Sequence, residues 1–75
     1  MPEKNDIAYA IALSMTYSYS PEAVNRITVL SLATSAIIAE KIGDLLPFHE
    51  IVKVMTQIIA NDLTQKQNLM KTYYN

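Results

Sequence analysis

Residues 27–39 read ITVLSLATSAIIA, thirteen positions without a charge, closed by Arg26 on one side and Glu40 on the other. As a helix this stretch rises about 20 Å at 1.5 Å per residue. A bilayer core asks for about 30 Å, or some 20 apolar residues, and Ser31, Thr34 and Ser35 dilute the run further. It therefore reads as the buried middle helix of a small helical domain, with the rest of the chain arranged to cover it.

The signals on either side set the limits of that helix. Ser20-Pro21-Glu22 combines a good N-cap, a proline at the first helical position where its missing N–H costs nothing, and an acid at the positive end of the dipole. Lys41 suits the negative end, and Gly43, the one glycine of the chain, suits the position just past a helix end. The spacing predicts a helix over 21–42, with Glu22 and Arg26 placed to pair at i,i+4.

Upstream, Asp6 is a candidate cap, and Ile7, Ala8, Ile11, Ala12 and Met15 recur at helical spacing. A first helix is expected near 6–18, ending within TYSYS, where β-branched, aromatic and serine residues weaken it. Downstream, Pro47 disfavours the helical conformation of Leu46, so a third helix should begin there. Phe48, Ile51, Val52, Met55, Ile58, Ile59 and Leu63 make its one-sided apolar stripe, and it should reach about 72. Asp62-Leu63-Thr64-Gln65 resembles a capping box, so the helix either breaks there or runs through with Asp62 and Lys66 as a surface pair.

The fold expected is all-α: a small antiparallel three-helix bundle forming one domain over residues 1–75, completed by homodimerisation through the central helix. The case for a second copy is the shortage of other supports. Chains below about 70–80 residues usually lean on disulfides, a metal, oligomerisation or unusually efficient packing. With no Cys and one His, disulfides and thiolate or histidine-rich metal sites are excluded. Apolar residues make up 51 % of the chain and charged ones 17 %, below the roughly 25 % charge of an average soluble domain. The middle helix is apolar nearly all round. Val24, Ile27, Ile38 and Ile42 mark one face, and Val29, Leu32, Ala36 and Ile37 another. Ser31, Ser35 and Ala39 fall in one row of small residues that would let a second backbone approach. Ile27, Ser31, Ser35, Ile38, Ala39 and Ile42 are the residues expected to carry self-association.

Catalysis finds no footing in this sequence. His49-Glu50 starts like the zinc-protease pattern H-E-x-x-H, but Lys53 stands where the second histidine belongs. Asp44, His49 and Glu50 together would hold a metal only weakly. No serine lies in a G-x-S-x-G setting, a lone glycine rules out a phosphate-binding loop, and the only close acidic neighbours fall at chain turns and exposed helix starts, where glycosidase-type chemistry needs paired carboxylates on one face. No enzyme activity, cofactor or metal is expected.

Tyr17, Tyr19, Tyr73 and Tyr74 sit near the ends of the first and last helices. In an up-down-up bundle these ends lie on the same side, and tyrosine is favoured in binding hot spots, so the four are the candidate partner surface. The function expected is that of a small oligomeric protein working by protein–protein interaction, as a regulator, adaptor or inhibitor. Its partners would be its own copy and another protein. An alternative uses Lys66, Lys71, Tyr73 and Tyr74 as a nucleic-acid-binding tail. Two lysines neutralise few phosphates, however, and the net charge is −1. A second alternative is a small membrane-associated, peptide-like protein using the first two helices. Residues 7–15 resemble a short signal-peptide core, but Glu3 and Asp6 outweigh Lys4 ahead of it, where the leader should be positive. The absence of Cys fits a cytoplasmic setting.

Overall fold

The computed structural model describes the backbone of residues 4–74 and the side chains of residues 6–43 and 45–71. The described chain is all-helical: α1 (Lys4–Thr16), α2 (Pro21–Ile42) and α3 (Phe48–Tyr74), with a single 3-10 turn (Gly43–Leu45) between α2 and α3. There is no strand among the described residues.

α2 has the bounds that its punctuation dictates. The Ser20 side chain accepts from the Ala23 N–H at 3.3 Å, Pro21 opens the helix, and the Gly43 N–H donates to the Ala39 carbonyl. Gly43 has φ +63°, a conformation that costs glycine nothing and a β-carbon something. α3 opens one residue later than expected. Pro47 stays outside it and offers its carbonyl to the N–H groups of Glu50 and Ile51, at 3.0 and 3.3 Å. Leu46 before it is extended, at φ −134° and ψ 144°, as a residue preceding proline should be. α3 then runs unbroken through 62–65, with Lys66 Nζ 3.0 Å from Asp62 Oδ2.

Two local expectations are corrected. α1 begins at Lys4, ahead of Asp6. Asp6 therefore lies within the first turn and acts on the dipole, whereas a cap would have to precede the helix. Glu22 and Arg26 do not pair; the ion pairs among the described residues are His49–Glu50, Glu50–Lys53 and Asp62–Lys66.

All three helices touch one another. Ala8 and Ala12 of α1 cluster with Val52 of α3, with Ile11, Leu32 and Phe48 packed against them. The Tyr19 hydroxyl, just past α1, meets Thr64 Oγ1 of α3 at 2.9 Å. Residues 8–12 thus lie beside 48–52 and residue 19 beside 64, so α1 and α3 run the same way and α2 returns between them. The body is long and thin, 47 × 25 × 13 Å between Cα extremes. So thin a body has little interior, and its residues reflect that. Fully buried positions include Ala8, Ala12, Thr16, Ser31, Ser35 and Thr56, with Ile27 and Val52 as the large apolar anchors.

Candidate interaction surface on the outer face of the middle helix

α2 divides sharply. Ala23, Ile27, Thr28, Ser31 and Ser35 are buried against the other two helices. Val29, Leu30, Ala33, Ala36 and Ile37 are exposed on the opposite side, Val29 at 57 % and Ile37 at 61 %. At 3.6 residues per turn these five fall within a stripe about 120° wide. Arg26 and Glu40, also exposed, fall by helical position on the same stripe just beyond its two ends, and Arg26 also borders a hollow lined by Glu22, Leu63 and Gln67 between α2 and α3. Neither has an ion-pair partner among the described residues. Of the most apolar 18-residue window of α2, only 28 % is buried, so one chain covers one side of this helix and leaves the other bare.

The residues singled out for self-association divide differently. Ile27, Ser31 and Ser35 have no exposed surface in the single chain, and Ile38, Ala39 and Ile42 are half-buried. Ser31 and Ser35 do let another backbone approach closely, but the chain's own neighbouring helices take that place. The sequence signal for the outward face was the second set of apolar positions on α2. Of these, Val29, Ala36 and Ile37 point out, and Leu32 is half-buried against the α1–α3 cluster. Leu30 and Ala33 complete the stripe, and periodicity alone did not separate them from the core.

Of the four tyrosines, Tyr17 is 85 % exposed. Tyr19 is half-buried, and its hydroxyl is engaged by Thr64 and lies 3.5 Å from the Ala60 carbonyl. It acts as a strut between the α1–α2 link and α3, where a free binding ring would be bare. Tyr73 and Tyr74 fall in the last turn of α3, and their side chains lie outside the described residues. In the lysine tail, Lys66 is engaged by Asp62 and Lys71 is exposed.

The surface hollows are shallow and chemically plain. One of about 380 Å³ is lined by Ser18, Tyr19, Ser20, Ala23 and Gln67. Another, of about 300 Å³, is lined by Ile7, Pro47, Phe48 and His49. The second holds the histidine and brings no hydroxyl or acid beside it; the first holds hydroxyls and no base. His49 Nε2 instead lies 3.5 Å from Glu50 on the exposed side of α3. Among the described residues no three metal-ligating side chains come together.

α2 is long and apolar enough to cross a membrane by length and composition, a test that the core helix of a soluble protein also passes. No family model matches the chain, and no curated protein or solved structure does either.

Proposed function

We propose that this chain is a small non-enzymatic helical protein that works by protein–protein association, in the manner of a regulator, adaptor or inhibitor, and that its first partner is another copy of itself. The observation that carries the reading is the bare stripe of Val29, Leu30, Ala33, Ala36 and Ile37 on α2. Large apolar groups gain about 1.5–3 kcal/mol each on full burial in water, and a contiguous exposed set is the usual mark of an interface. The inside of the bundle is filled largely by alanines and hydroxyls, so rearrangement within one chain has little room to hide the stripe.

Light scattering after size exclusion tests this. A particle of twice 8.4 kDa is expected, holding its mass in high salt because the contact is apolar. Ile37→Glu should shift it to the single-chain mass with helical content unchanged, since Ile37 touches little of its own chain. A single-chain mass for the wild type at the highest concentration would overturn self-association.

A bilayer is the second cover that the same stripe would fit, on the strength of the length and composition of α2. Flotation with neutral and anionic vesicles distinguishes it. Movement of the protein with vesicles, together with a single-chain mass in their absence, would favour the membrane.

A further inference from the structure

The exposed stripe of α2 matches its own reverse. Taking Ala33 as centre, Val29 mirrors Ile37, Leu30 mirrors Ala36, and Arg26 mirrors Glu40. We infer that two copies pair through this stripe as antiparallel helices on a two-fold axis at Ala33, with Arg26 of each copy against Glu40 of the other. The inference rests on the self-association proposed above and adds its geometry.

Three observations carry it. The first is charge. Arg26 and Glu40 are exposed at the two ends of the apolar stripe and have no ion-pair partner among the described residues. An antiparallel pair satisfies both charges twice over. A parallel pair in register would set arginine against arginine and glutamate against glutamate, an arrangement that interfaces select against. The second is shape. Leu30 meets Ala36, large against small, at two symmetric places, and Ala33 sits at the crossing point where a β-carbon alone allows close approach. Parallel pairing would stack Leu30 on Leu30 and leave Ala36 facing Ala36 across a gap. The third is closure. A two-fold contact uses the same patch on both copies, so the α2 stripe of each is covered by the other. The competing cover, a bilayer, is disfavoured here in one respect, the spacing of the charges along a span. Arg26 and Glu40 lie fourteen residues apart on the exposed side, about 21 Å along the helix, so a core of about 30 Å would swallow at least one charge.

The chain contains no cysteine, so introduced thiols report geometry without background. Val29→Cys and Ile37→Cys change exposed positions and should leave the circular dichroism of the wild type intact. In the antiparallel pair, position 29 of one copy lies beside position 37 of the other. Position 29 lies about 12 Å along the axis from its own equivalent, beyond the roughly 7 Å Cα separation that a disulfide tolerates. Mild oxidation of the two variants mixed should therefore give the disulfide dimer at least about tenfold faster than either variant alone. In a second arm, Arg26→Glu alone and Glu40→Arg alone should each weaken self-association about tenfold, and mixing the two should restore a dimer of mixed composition. Equally fast oxidation of Val29→Cys alone, in a protein of dimer mass, would overturn the antiparallel register while leaving self-association standing. A single-chain mass with no crosslinking in any mixture would overturn both.

Discussion

Replacing Ile27 by alanine should cost about 2–5 kcal/mol of folding free energy, the range for removing a fully buried aliphatic side chain and leaving its cavity. Ile27 has no exposed surface and is one of two large apolar side chains buried completely among the described residues, with Val52. Native domains hold about 0.05–0.15 kcal/mol per residue, so 75 residues carry about 4–11 kcal/mol in all. Ile27→Ala should therefore remove about half of the stability, visible as a large fall in the urea midpoint followed by circular dichroism. Val29→Ala, two positions away on the exposed stripe, should leave the midpoint of the single chain nearly unchanged, and any effect should appear only in the association constant. Equal effects of the two substitutions would mean that α2 is not divided into an inner and an outer face.

Ser35 should respond in opposite directions to two substitutions. It is fully buried, and its hydroxyl, with those of Thr28, Ser31 and Thr56, has no hydrogen-bond partner. A buried hydroxyl left unpaired costs about 1–3 kcal/mol, and alanine also favours a helix interior over serine. Ser35→Ala should thus raise stability by about 1–2 kcal/mol. Ser35→Leu replaces a hydroxyl by a branched isopropyl group at a position with no exposed surface, and overpacking of this sort costs about 1–3 kcal/mol or more. The readout is the urea midpoint of each variant against the wild type. A leucine variant that kept wild-type stability and lost only its association would place Ser35 at a surface between chains rather than inside one.

The elements themselves were legible because each has a local cause. Ser20 with Pro21 starts α2, Gly43 ends it, and Pro47 holds α3 back, all through backbone chemistry that needs no knowledge of the fold. The orientation of α2 about its own axis was harder to read. A helix apolar nearly all round is pointed only weakly by its pattern, and two rows compete for the inside. Ser31 and Ser35 win because three helices in a body 13 Å thick must come close, and small side chains permit that where Val29 and Ile37 would hold the backbones apart. The tyrosines illustrate a second limit. Tyr17 and Tyr19 are two residues apart in sequence, yet one is bare and the other is a strut to Thr64. That difference arises from the position of α3, forty-five residues further along the chain. The candidate interaction stripe was therefore visible only in part, as the apolar character of Val29, Ala36 and Ile37, without its neighbours Leu30 and Ala33 or its terminal charges.

An interior built of alanines and hydroxyls also shapes how the chain responds to temperature. The heat-capacity increment of unfolding comes mainly from newly wetted apolar surface and is offset by polar surface, with a usual net of about 12–15 cal/mol/K per residue. Ala8, Ala12, Ala23 and Ala60 contribute little hydrocarbon to that change, and Thr16, Thr28, Ser31, Ser35 and Thr56 contribute hydroxyls that subtract from it. The isolated chain should fall below the usual increment, giving a shallow stability curve that declines slowly toward both heat and cold. Where two chains pair, the hydrocarbon of the α2 stripe joins the balance. Calorimetry over a dilution series would then show the increment rising with protein concentration, as the heat-capacity signature of association is added to that of folding.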